Sequence, residues 1–191
     1  MRFALISTLA MVGTSLALPA DLEKRDAGVT VNNGIVATTS ALTTLEAHLH
    51  NPIPFQSDRI GDFLWKAVQL NDKVNNELYA AAIATNKLDK GEKIGYLTDN
   101  LAMSALLTPL SNKLSSAVDH WIQDRPAVTR FNPAAQQSIL QSLKTTRQNA
   151  NMFAQAVLAR QKTGVVLIAG PITSMLTSQV DRAITEYSKR Y

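Results

Sequence analysis

Two long stretches of this chain are almost free of proline: between Pro54 and Pro126 only Pro109 intervenes, and Ala134 to Ala169 contains none. Uninterrupted helices are permitted there. Within the first stretch Ile60, Phe63, Leu64, Ala67, Val74, Leu78, Ala81 and Ala82 recur at threes and fours, the period of one helical face. A second such face reads Ile94, Leu97, Leu101 and Ala105, then slips phase near Pro109 and resumes through Leu107, Leu110, Leu114, Val118, Trp121 and Ile122. Proline inside a helix removes one backbone bond, so a bend is expected near Pro109.

Asn132-Pro133 opens a third face, with asparagine to cap free amides and proline where its missing N–H costs nothing. That face is Ile139, Leu140, Leu143, Thr146, Ala150, Phe153 and Val157, and another follows Gly170-Pro171 from Ile172 to Tyr187. Ile35, Leu42, Leu45 and Leu49 make a further one, ended by Asn51-Pro52-Ile53-Pro54. Val165 to Ile168 is the one β-branched run a strand could claim. The spacing therefore predicts an all-α fold: an antiparallel bundle of about five amphipathic helices near 26–50, 57–87, 90–123, 132–163 and 170–189, the third kinked near Pro109. Heptads are not sustained, which argues against a long coiled coil.

The first 17 residues, Met1-Arg2-Phe3 followed by an apolar run with Ser15 and Ala17 at its end, read as a secretory signal peptide. Residues 18–25 read as a short pro-segment whose dibasic pair, Lys24-Arg25, suits a processing protease, although a charged linker would look the same. The mature chain is then a single domain, 26–191, long enough to bury roughly two thirds of its unfolded surface. It has no cysteine, so on an oxidising route the fold must stand on packing alone.

The longest later apolar run, Gly164 to Ile172, is too short to cross a bilayer, and the charged C-terminus carries no lipid-anchor signal. A secreted, extracellular product is expected, held in the cell wall, if at all, by something else. No Asn-x-Ser/Thr sequon occurs, which leaves only O-linked sugar on the Ser and Thr residues. Setting aside Arg2, Lys24 and Arg25 from 19 basic residues, and Asp21 and Glu23 from 15 acidic ones, leaves 16 against 13, a net of +3. The basic residues are scattered among acidic neighbours, with no stripe to follow nucleic acid.

Catalytic signatures are absent: there is no G-x-S-x-G elbow, no phosphate-cradling glycine loop and no H-E-x-x-H. His48 and His50 lie two apart, which on a helix sets the rings about 200° from one another and makes a poor metal chelate. They and His120 read as polar residues of helix ends and surfaces, and Asp58, Asp62, Asp72 and Glu77 as solvated helix carboxylates. No catalytic residue, metal or cofactor is expected.

What remains is apolar content, whose plainest reading is an ordinary packed core. One feature points further, because hydroxyls recur near the inward faces: Ser104, Ser111, Ser115, Thr146 and Ser174. A hydroxyl facing a bundle interior needs a partner, and a lipid head group could be one, although such side chains usually bond the preceding turn.

The layout resembles the fungal hydrophobic surface-binding protein A family, which includes the cell-wall galactomannoproteins. The resemblance spans about Asp26 to Tyr191 and rests on Lys24-Arg25, on Ile35 to Leu49 followed by Asn51-Pro52, on Leu101 to Leu114 with Thr108-Pro109-Leu110, and on Gly170-Pro171-Ile172. It implies a five-helix bundle whose centre holds a fatty acid, arachidonic acid among them, in proteins that adsorb to hydrophobic surfaces and help recruit secreted esterases. No short motif carries over individual binding residues. Helix phase alone supplies the candidate apolar lining. Phe63, Leu64 and Leu78 come from the second helix, Leu101, Leu107, Leu110 and Leu114 from the third, Phe153 and Val157 from the fourth, and Met175 and Leu176 from the last. The alternative is a structural cell-wall mannoprotein without a ligand pocket.

Overall fold

The computed structural model describes residues 27–54, 57–94, 97–161 and 169–189, without the side chains of 57–58, 97–101, 169–173 and 175. The proposed signal peptide, Lys24-Arg25, the run Val165 to Ile168 and the side chains of Leu101 and Met175 lie outside these residues. Five helices account for nearly all of the rest: α1 (Ala27–Leu49), α2 (Ser57–Asn86), α3 (Leu97–Phe131), α4 (Pro133–Arg160) and α5 (Ala169–Ser188). The all-α expectation holds.

Local chemistry sets most of the ends. The Asn51 side-chain amide donates to the carbonyls of Ala47 and His48, satisfying the end of α1 before Pro52 forbids continuation. At the start of α4 Asn132 accepts from the Ala135 amide at 3.2 Å, with Pro133 in the first turn. Helix α3 departs from expectation at both ends. It begins at Leu97 rather than near 90, because Asp89 and Glu92 turn the chain and Ile94 bonds the Arg160 carbonyl. It also runs past 123 to Phe131, through Pro126 as well as Pro109. Both prolines lie on its exposed face, where the carbonyl each deprives of a partner can turn to water.

The helices close into a ring. Their principal neighbours are α1 with α2, α2 with α4, α4 with α5, α5 with α3, and α3 with α1. Residue pairs give the directions. His48 meets Phe63 and Arg147 meets Asp181, so α1 and α2, like α4 and α5, run antiparallel. Glu46 with Lys113, Asn71 with Ser142, and Asp119 with Arg182 fall in parallel register. The chain thus alternates up and down, yet α1, α3 and α5 stand side by side, as do α2 and α4.

Contact along α1 and α2 is close because Gly34 has no side chain; a Cβ there would lie 2.6 Å from the Ala81 Cβ. One continuous core, from Val31 and Ile35 to Val180 and Tyr187, fills the interior.

Candidate functional site

A ring of five helices differs physically from a bundle of four. At ordinary spacings of 8–10 Å, five axes on a pentagon stand about 7–8.5 Å from the centre. A helix with its side chains reaches about 5–6 Å, so about 2 Å of radius remains on the axis, close to the radius of a carbon atom. The axis must be filled by larger inward side chains, or by something else.

Of the predicted lining, Phe63, Leu64, Leu78, Leu107, Leu110, Leu114, Phe153, Val157 and Leu176 are all buried members of the core. Helix phase accounts for that burial, which repeats with the helical period. The hydroxyls divide. Thr146 is 2% exposed, but its hydroxyl already donates to the Ser142 carbonyl and accepts from the Asn71 amide. Ser111 is buried, Ser104 and Ser115 are half-buried, and Ser174 is exposed. Ser174 sits two residues before buried Leu176, a step that carries it to the opposite side of α5. Read as inward from the sequence, it faces out.

The structure adds polar groups that periodicity did not single out. Between α2 and α4, Asn71 donates to Ser142 Oγ at 2.8 Å and to Thr146 Oγ1 at 3.0 Å, and Ser142 Oγ donates to Asp72. Asn75 donates to the Ser142 carbonyl, and Asn149 to the Asn75 carbonyl. Where α5 ends against α3, Trp121 and Tyr187 meet edge to face at 6.3 Å, and the Tyr187 hydroxyl donates to the Trp121 carbonyl. Buried Arg125 donates to the Lys189 carbonyl beyond the last turn of α5.

Desolvation pushes the Asp124 carboxyl up to about 6 and, with Asp124 nearby, raises the Tyr187 phenol well above its usual range. The hydrogen bond from Lys113 holds Glu46 below the usual carboxylate range, against burial.

His48, read from the sequence as solvated, instead stacks on Phe63 with centroids 4.4 Å apart, its Nε2 3.0 Å from the Phe63 carbonyl oxygen. His50 and His120 meet edge to face. No group of three or more potential metal ligands exists among the described residues, and no described helix is long and apolar enough to cross a membrane.

Outside the core, open grooves run between helices. One lies along α1 and α2, where Thr30, Ala80 and Ala84 join two depressions of about 510 and 390 Å³. A second, of about 310 Å³, lies between the first turns of α2 and α4 and is lined by Gly61, Leu64, Trp65 and Ala135. Trp65 in its lining is 65% exposed, and Phe131, the chain neighbour of the groove's Asn132, is 40% exposed.

No protein-family model matches the sequence, and no curated protein matches it either. Solved structures do share the fold. Ligand-binding domain 2 of the Penicillium marneffei MP1 protein, complexed with multiple arachidonic acids, superposes with a TM-score of 0.70 at 9% identity, covering 84% of this chain and 96% of that one. Domain 1 of the same protein, with arachidonic acids, gives 0.70 at 11% identity over 84% and 97%. Afmp4p in complex with palmitic acid gives 0.70 at 14% identity over 84% and 99%. Identities this low establish a common fold.

Proposed function

We propose that this chain is a secreted or cell-wall-associated fungal protein, without catalytic activity, that holds a long-chain fatty acid between its five helices. The observation that carries the reading is the closed ring of five helices around one continuous apolar core to which every helix contributes. Three domains of that fold bind arachidonic or palmitic acid. The resemblance to the hydrophobic surface-binding family supports the same assignment, and with it a role beside secreted esterases.

Burying about 15 methylenes at about 0.8 kcal/mol each yields about 12 kcal/mol, against roughly 4–15 kcal/mol for lost freedom of motion. A head-group hydrogen bond adds only about 0.5–1.5 kcal/mol, so the tail governs affinity, and micromolar binding, about 8 kcal/mol, is reached at the low end of that cost. Native mass spectrometry of delipidated protein re-exposed to palmitic acid should show a discrete adduct. Leu110→Trp or Phe153→Trp should abolish that adduct while helical circular dichroism persists. A wild-type chain that acquires no adduct overturns the reading.

A second activity, adsorption to hydrophobic surfaces, is favoured by the exposed Trp65 and Phe131 around the α2 and α4 groove. Retention on polystyrene beads should exceed that of an unrelated helical bundle, and Trp65→Ser should lower it about threefold, as expected for one partly buried ring. Equal retention of all three proteins would remove this second activity, and with no fatty-acid adduct either, a structural wall protein would be the remaining description.

A further inference from the structure

Several buried polar atoms among the described residues lack a hydrogen-bond partner, and one of them is an indole N–H. Trp121 is 2% exposed, and its indole N–H makes no hydrogen bond. Buried polar groups are almost always paired, so an orphan of this kind calls for a partner that the described residues do not supply. Other orphaned atoms include Asn32 Oδ1 on α1, Asn75 Oδ1 on α2, both amide atoms of Gln161 after the last turn of α4, and Asp124 Oδ2, three residues beyond Trp121 on α3.

Position gives the orphan its meaning. Leu107, Leu110, Leu114 and Trp121 return to nearly the same angle on α3, the angle opposite its exposed prolines. Trp121 therefore stands on the stripe that faces the middle of the ring, at the foot of a column of leucines. Below it the interior is closed by Tyr187, which meets the indole edge to face, and by Arg125, which is tied to the end of α5. The column above rises about 21 Å from Trp121 to Leu107. The acyl layer of one membrane leaflet is about 15 Å deep, so this length suits a long chain.

We infer that the Trp121 indole N–H is the head-group donor of an internal acyl site, which rests on the fatty-acid reading above. A carboxyl oxygen of a long-chain acid accepts from Nε1 at the foot of the leucine column, and the tail runs up that column past Leu114 and Leu110. An indole donates only, so the site selects a head group by its acceptor oxygen and gains nothing from a plain hydrocarbon. Pairing a buried donor otherwise left unmade is worth about tenfold to hundredfold in binding.

The two tryptophans of the chain separate cleanly, because Trp65 is exposed and Trp121 is not. In the Trp65→Phe protein the single remaining indole N–H is followed by ¹⁵N-resolved NMR while palmitic acid or hexadecane is added. Palmitic acid should move this resonance downfield, and hexadecane should leave it in place. In competition against a fluorescent acyl probe, Trp121→Phe should weaken palmitic acid about tenfold or more and hexadecane less than about twofold. An unmoved indole resonance in protein that binds palmitic acid overturns the inference and leaves the fatty-acid reading standing, as does an equal loss for both ligands. Failure of wild-type protein to bind palmitic acid removes both. Should Trp121→Phe not fold, the resonance decides alone.

Discussion

Helix α2 is held on its two flanks by opposite chemistries. Toward α1 the contact is apolar and depends on closeness, with Gly34 against Ala81 and an open groove of small residues outside. Toward α4 it is a polar ladder in which Asn71, Asn75, Ser142, Thr146 and Asn149 find partners at fixed heights. Apolar contact is tolerant of sliding, whereas hydrogen bonds at fixed spacing specify one register. The pairing of α2 with α4 is parallel and joins helices that are not consecutive, so no short link sets its register and the ladder must. The pairing with α1 is antiparallel and follows a short link, which does that work itself.

The comparison breaks most sharply at Gly34. Gly34→Val forces a branched side chain into a space already 0.4 Å or more too small for any Cβ, judged against the roughly 3.0 Å floor of real contacts. It should cost about 3 kcal/mol, read as a fall in urea midpoint with little change in slope. A loss below about 1 kcal/mol would show that the α1 flank gives way easily. Asn71→Leu tests the other flank. It removes the amide that both hydroxyl oxygens accept from, while each keeps the bond it donates, and should cost about 1–2 kcal/mol, whereas Asn71→Leu with Ser142→Ala and Thr146→Val should recover most of that loss. If the triple variant is also uniquely packed by NMR, the ladder does not set register.

A third contact, α3 with α5, sharpens the contrast because beside the orphaned Trp121 N–H it holds a carboxyl oxygen without a partner. Asp124 is half-buried, its Oδ2 accepts no hydrogen bond, and its carboxyl is pushed from 3.8 up to about 6. Folding therefore favours its protonated form. Stability from this group rises as pH falls from about 6 toward 4, is level below that, and is lowest above pH 6, where the folded chain must carry the charge. Asp124→Asn should flatten that slope and add about 1 kcal/mol at pH 8, the full shift being discounted for partial exposure. Thermal melts at pH 4.5 and pH 8 check this, and a variant less stable at pH 8 contradicts it.

Much of this was legible in the residues, and the losses have physical causes. The helices and their buried stripes follow from the 3.6-residue period, so Leu64, Leu110 and Phe153 could be placed inside without coordinates. The extension of α3 to Phe131 was hidden because a proline usually ends a helix, and only the exposure of Pro126 explains its tolerance. Ring order and parallel pairing arise from tertiary contact, which periodicity does not encode. Among site residues, Ser174 was misplaced by reading its neighbourhood instead of its angle. The role of Trp121 was overlooked because a large inward ring reads as core, and its orphaned N–H is visible only when partners are counted.

An odd number of alternating helices has an outcome for assembly. Because α1 and α5 point the same way, the first residue of α1 and the last of α5 emerge at opposite ends, roughly 40 Å apart along the long axis. Copies joined head to tail would string out as a rod instead of folding back on one another. A fluorescent protein fused at either side would be kept at arm's length from one fused at the other.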